Sequence, residues 1–245
     1  NGYVKGYRGR DLSQTGWGLM WDFIMIHESG HEWFANNITN RDVADMWIHE
    51  GFTAYSENLF LDFHYGKEAS ASYVKGTRMN IQNDIPIIGI YGVNREGSSD
   101  MYYKGANLLH TIRQVVNDDE KWRAILRGLN KEFYHSNVTT KQVEDYISEK
   151  VGIDLSKVFD QYLRDIRIPT LEYNINGDQL SYRWINAVRG FHMPIKVYVN
   201  GKEMWIKPEA GRWLGDVLES DVTSFSVDNN FYVGNSDIGA KKMKK

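Results

Sequence analysis

His27 and His31 stand four residues apart with Glu28 between them, in "HESGH", and Glu50 follows eighteen intervening residues after His31, in "WIHEG". Imidazole nitrogen and carboxylate oxygen are ligands for a divalent ion such as zinc. Two His and one Glu fill three tetrahedral positions and leave the fourth open. An open position marks a catalytic zinc site, because structural sites are usually closed by four protein ligands. Such an ion acidifies a water and polarises a carbonyl oxygen. Glu28 beside it would take the water's proton and pass it to the leaving amine. The chemistry these residues suit is hydrolysis with one Zn2+ per chain. The competing reading is a core histidine pair hydrogen-bonded to neighbouring carboxylates.

The elements that must present these groups are helices. "WGLMWDFIMIHESGHEWFANNI", residues 17–38, keeps apolar or small residues at 19, 23, 26, 30 and 34, which predicts one mostly buried helix. Positions four apart on it lie about 40° apart around the axis and roughly 6 Å along it. His27 and His31 therefore share a face, whereas Glu28 is turned about 100° away, toward a water rather than toward the ion. The next segment, starting at Asn40 or Asp42, carries a stripe of Val43, Met46, Trp47, Glu50, Ala54, Glu57 and Leu61. A carboxylate on that stripe is costly to bury unless a cation meets it. Antiparallel packing of the two helices would bring Glu50 to the histidines, and Ser29 and Gly30 are small enough to permit close approach. Glu57 faces the same way; it could accept a hydrogen bond from a ligand histidine or sit in a structural salt bridge.

Further along, a third helix is expected over Lys67 to Asn83, then a long loop through "DIPIIGIYGVNREGSS". Four more helices follow, with Asp or Thr placed as caps. Asp100 is expected to cap a helix that begins at Met101. The character changes at Pro169. From there, "TLEYNING", "QLSYRWINA", "MPIKVYVNG", "KEMWIKP", "TSFSVD" and "NFYVG" read as six or seven short strands, with "NG" twice as a turn signal. The expected class is α+β: a helical catalytic domain over 1–168, a small β-sandwich over 169–238, and a basic, disordered tail over 239–245.

The net charge is -3, and apart from the terminal "KKMKK" no basic run interrupts the chain, which argues against a nucleic-acid partner. There are no cysteines, so disulfides and thiolate metal sites are excluded. No apolar run approaches the roughly 20 residues that span a bilayer, and no signal peptide is visible. The opening at "NGYVKGYRGR", without an initiator Met, leads to the expectation of a fragment.

On these motifs the sequence resembles the aminopeptidase N family of zinc metallopeptidases, the gluzincins. The family pattern is H-E-x-x-H, eighteen residues, then Glu within N-E-G-F-[AT]-x-Y; "HESGHEWFANNIT" and "WIHEGFTAYSE" match it, with His49 where Asn is usual. A second family element, Y-x-K-G, is present as "YYKG", Tyr102 to Gly105. The resemblance implies a thermolysin-like helical domain, a peptide substrate, and a hydrogen bond from Tyr102 to the tetrahedral oxyanion. "FDQYLRDIRIPTLEY" is similar to the family's passage into its β-domain. The family's G-x-M-E-N segment, whose glutamate holds the substrate's α-amine, has no match in residues 1–26. An N-terminal domain of the same chain is therefore expected to be missing. The wording of the zinc motif is similar to bacterial envelope members, which favours a periplasmic or exported setting over a cytoplasmic one. Two alternatives stay open: a related hydrolase acting on another electrophile, such as an epoxide, and an inactive binding scaffold of the same fold. His49 is assigned a structural role, and His64, His110, His135 and His192 lack ligand spacing and are read as structural or exposed.

Overall fold

The computed structural model describes residues 6–239. The single helix expected over 17–38 is not formed. Trp17–Leu19 make a 3-10 turn, α1 spans Phe23–Gly30, and Glu32–Asn37 form a wider π-type turn in which the Asn36 N–H donates to the His31 carbonyl at 2.9 Å. The apolar period persists across all three pieces, so periodicity alone could not see the breaks. Side chains compete for the carbonyls a continuous helix would use: His31 Nδ1 lies 3.1 Å from the Phe34 oxygen, and the Thr39 hydroxyl donates to that of Ala35.

A short strand, β1 (Ile38–Asn40), leads to a 3-10 turn capped by Asp42 and then to α2 (Trp47–Tyr65). Contacts between α1 and α2 run in opposite senses: His27 meets Glu57, while His31 meets Glu50 and Thr53. The two helices are therefore antiparallel. Gly30 is what allows the approach, since a Cβ there would sit 3.0 Å from Thr53 Cγ2 and 3.3 Å from Ser56 Cβ.

The third helix, α3 (Lys67–Gly76), stops short of the expected Asn83 and runs into a 3-10 turn over Thr77–Asn80. The Val74 carbonyl is taken there by the Thr77 hydroxyl at 2.8 Å and the Asn107 amide at 3.1 Å. The loop that follows is held to the helices through backbone bonds from Ile88 to Leu163 and from Gly89 to Ala44. Asp100 does not cap the next helix. Ser98 caps the 3-10 turn before it, and the buried Asp100 carboxylate instead accepts the backbone N–H groups of Gln82 and Asn83 at 2.8 and 2.6 Å. A carboxylate just before a helix is equally able to serve an approaching loop, and here the loop wins.

Four helices complete the helical part: α4 (Tyr103–Val116), α5 (Asp119–Glu132), α6 (Thr140–Val151) and α7 (Ser156–Leu163). Asp118 caps α5, and Thr139 with Gln142 forms a capping box on α6. Between α5 and α6, β2 (Ser136–Val138) pairs in parallel with β1, a contact no local pattern announced.

From Thr170 onward the chain is built of strands. β3 (Thr170–Asn176), β4 (Gln179–Ile185), β5 (Ile195–Val199), β6 (Lys202–Ile206), β7 (Leu214–Val217), β8 (Phe225–Val227) and β9 (Gly234–Asp237) form two sheets, ordered β7-β4-β3-β9 and β6-β5-β8. The rings of Tyr173 on β3 and Phe225 on β8 lie 4.3 Å apart, so the two sheets share apolar contacts. β7 was not among the expected strands, and the "NFYVG" segment is not itself a strand but leads into β9. The helices and sheets share one apolar core that includes Trp47, Phe159, Tyr162, Trp184 and Phe191. Tyr162 donates to the Tyr232 carbonyl at 2.6 Å across that boundary. The basic stretch from residue 240 onward lies outside the described residues. No helix among the described residues is long and apolar enough to cross a membrane.

Candidate metal centre

The antiparallel α1–α2 pair brings the three ligand candidates together: one nitrogen each from His27 and His31 and one oxygen from Glu50 lie within 4.8 Å of one another. Glu50 Oε2 is 3.2 Å from His27 Nε2 and 3.6 Å from His31 Nε2. The two rings are nearly perpendicular, at 84°. His27 is buried; His31 and Glu50 are partly exposed, so the cluster opens to solvent on one side.

Each imidazole is aimed by the bond its other nitrogen makes. His27 Nδ1 lies 3.0 Å from Glu57 Oε1, a buried carboxylate that also accepts from Tyr73 at 2.7 Å. His31 Nδ1 lies 3.1 Å from the Phe34 carbonyl and 3.2 Å from Thr53 Oγ1. A carboxylate or carbonyl at Nδ1 keeps the proton there and leaves Nε2 with its lone pair, the form in which histidine binds a metal. Both Nε2 atoms then face Glu50.

The electrostatics favour a cation at the same place. Burial works against a charge on His27, but its hydrogen bonds to Glu50 and Glu57 outweigh it and hold its imidazole up at about 9, so a metal at Nε2 would displace a proton there. Burial alone would raise the Glu50 carboxyl, yet the neighbouring imidazoles bring it below its ordinary value. Burial raises the Glu57 carboxyl despite His27 and Tyr73. One carboxylate, that of Glu50, and the Nε2 atoms of His27 and His31 around one point form a donor set that suits zinc.

Glu28 is exposed on the adjacent side of α1. Tyr102 precedes α4 and stacks on His27 with ring centroids 5.8 Å apart. Its phenol is pushed up to about 12, by burial first and then by the charges of Glu50, Glu96 and Glu28, so it stays a proton donor at neutral pH. Tyr102 is placed by the crossing of α2 and α4. A Cβ on Gly105 would fall 3.0 Å from Gly51 Cα, and one on Gly51 would fall 3.0 Å from the Met101 carbonyl. The two backbones touch where each helix carries a glycine directly after a chemically important stretch. Lys104, itself buried, ties the start of α4 to the Asp165 carbonyl at 2.9 Å.

His49 accepts the Asn40 backbone N–H at Nε2, 2.9 Å, and burial lowers its pKa; it serves the β1–α2 connection rather than the ligand cluster. His64, His135 and His192 are exposed, and His110 is buried away from the cluster against Asn230 and Gln114. Thr53, Tyr73 and the Phe34 carbonyl carry no sequence signal that would link them to the cluster. Gly51 and Gly105 lie inside the two motifs, whose spacing says nothing of how they pack.

Residues 21–162, more than half of the chain, match the Peptidase family M1 domain. Among curated proteins, the chain is 25% identical over 243 residues to a leucyl aminopeptidase of Saccharolobus solfataricus, covering 88% of this chain and 30% of that protein. It is 28% identical over 152 residues to a leukotriene A-4 hydrolase of Xenopus laevis, covering 55% and 25% respectively. Among solved structures, Legionella pneumophila aminopeptidase A in complex with aspartic acid superposes with a TM-score of 0.63 at 16% identity, covering 96% of this chain and 28% of that one. That likeness speaks for the fold. The chain spans less than a third of the length of each of these three proteins.

Proposed function

Because the chain belongs to peptidase family M1, we propose that it carries the zinc-dependent hydrolytic centre of an aminopeptidase, acting on N-terminal peptide bonds. The observation that carries this reading is the convergence of His27, His31 and Glu50, with Glu28 and Tyr102 beside them. His27 Nε2, His31 Nε2 and Glu50 Oε2 would hold the ion. When bound, zinc supplies a Lewis acid that polarises the scissile carbonyl and acidifies a water.

The chain's own groups do the rest. Glu28, exposed and unencumbered by the ligand cluster, takes the attacking water's proton on its carboxylate and returns it to the departing amine. The Tyr102 hydroxyl donates a hydrogen bond to the oxyanion of the tetrahedral carbon. Glu57, the Phe34 carbonyl and Thr53 hold the imidazoles in register and take no part in proton transfer. The preference for a free N-terminus is inferred from the relatives' names; residues 1–26 hold no G-x-M-E-N segment to bind an α-amine.

Aminoacyl anilides, free and N-acetylated, test the reading. Free substrates should be cleaved in preference to acetylated ones. Glu28→Gln should lower kcat by about 10²–10⁴-fold with zinc content unchanged. Undiminished turnover in that variant would refute the role of Glu28. A second reading is a related hydrolase that acts on another electrophile, such as an epoxide. Turnover of an epoxide panel without any anilide cleavage would replace the first reading with the second.

A further inference from the structure

The hydrogen-bond network at the ligand cluster reaches one residue beyond Glu57. Tyr73 is 1% exposed, on α3, a helix that supplies no ligand. Its hydroxyl donates to Glu57 Oε2 at 2.7 Å, while Oε1 of the same carboxylate faces His27 Nδ1 at 3.0 Å. We propose that Tyr73 is a positioning residue for the zinc site: through Glu57 it sets which nitrogen of His27 carries the proton and where the other one points. The inference rests on His27 being a zinc ligand.

Donor direction carries the argument. A carboxylate only accepts, and the tyrosine hydroxyl has one proton to give. With Oε2 engaged by Tyr73, the carboxylate plane is fixed and Oε1 is left facing the imidazole. The proton then belongs on Nδ1, and Nε2 keeps the lone pair that a metal requires. Without the hydroxyl, Glu57 retains one bond about a terminal torsion that is intrinsically broad. The carboxylate can turn, and the imidazole turns with it.

The place of Tyr73 is independently secured. Its ring packs against Trp21 at 5.4 Å, within a small apolar cluster that also holds Phe23 and Leu61. Phe23 begins α1, the helix that carries His27. α3 therefore packs an aromatic ring on the segment that leads into the ligand helix and reaches the ligand itself through a hydroxyl bonded to Glu57. Tyr73→Phe removes the second contact and keeps the first.

Zinc affinity, measured in the full chain by competition with a chromogenic chelator, separates these contributions without reference to turnover. Removing a group that orients a ligand histidine typically costs 10–100-fold in metal affinity. Tyr73→Phe is expected to weaken zinc binding about tenfold, and Glu57→Gln by at least as much. The double variant should bind no more weakly than Glu57→Gln alone, because the hydroxyl acts only through that carboxylate. Tyr162→Phe, which removes another buried hydroxyl, one bonded to the Tyr232 carbonyl, should leave zinc affinity unchanged. Unaltered affinity in Tyr73→Phe, or losses that add in the double variant, would overturn the proposal. If Tyr73→Phe does not fold, proton NMR of the zinc-loaded wild type decides: a slowly exchanging Tyr73 hydroxyl proton supports the relay, and rapid exchange with water overturns it. A wild-type chain that binds no zinc would bring down the zinc reading itself, and this inference with it.

Discussion

His27 and His31 come from one helix end and approach the same carboxylate, yet they are braced by different materials. His27 is held from within the protein by a buried side chain, Glu57, which is held in turn by Tyr73 on another helix. His31 is held from its own neighbourhood, by the carbonyl of Phe34 three residues on, with Thr53 at similar distance. The first brace spans 30 residues of sequence to reach its histidine. The second exists because the chain leaves the helix at His31 and turns a carbonyl back toward the ring. A side-chain brace is strong and charged, but one substitution removes it. A backbone brace survives substitution at its own position, since every residue supplies a carbonyl. It fails only if the turn changes shape.

This asymmetry can be broken on the His27 side with the largest effect. Glu57→Gln should weaken zinc affinity by about 10–100-fold in chelator competition, since an amide is a poorer acceptor and can present its NH2 to Nδ1. An effect under about twofold would mean that the buried carboxylate does not orient His27. A second measurement uses the zinc-free chain. Folding holds the His27 imidazole up to about 9 against an ordinary 6.5. The folded state therefore binds that proton more tightly than the unfolded state does. The resulting stability is fully present below about pH 6.5 and is lost as pH rises through about 9, about 3 kcal/mol. Tm of the zinc-free chain should fall by several degrees across that window, and saturating zinc should abolish the fall. A flat Tm without zinc would show that Glu50 and Glu57 do not charge His27. The smallest effect is expected on the other side. Thr53→Val leaves the Phe34 carbonyl in place, so zinc affinity should drop by about 1 kcal/mol or less, a few-fold at most. A loss as large as that of Glu57→Gln would show that the hydroxyl, not the backbone, holds His31.

Much of the candidate site was legible in one dimension because its candidate ligands are carried on helices. His27 and His31 are one helical turn apart, and a carboxylate at Glu50 on an otherwise apolar stripe is conspicuous. Glu57 could be placed on that stripe but not assigned, since nothing in the sequence says which buried donor it meets. The helical and strand segments were also readable, from apolar period, caps and "NG" turns. Boundaries were missed where a side chain outcompetes the backbone. The turn at Glu32–Asn37 and the end of α3 are both cases of a carbonyl claimed by a hydroxyl, an amide or an imidazole. Asp100 was misread because the same carboxylate could serve two backbones, and only the path of the loop decides between them.

The amino-acid sequence by itself determined the types and spacing of the candidate ligands, the glutamate next to them, and the division into a helical stretch followed by strands, because each of these is written in the local order of residues. Tertiary structure alone decided that Tyr73 stands behind Glu57, that Gly51 and Gly105 let two backbones touch and set Tyr102 over His27, and that β1 pairs with β2. Those contacts join residues from 16 to about 100 positions apart. No periodicity links such positions, and only the packing of whole helices against one another brings them within reach.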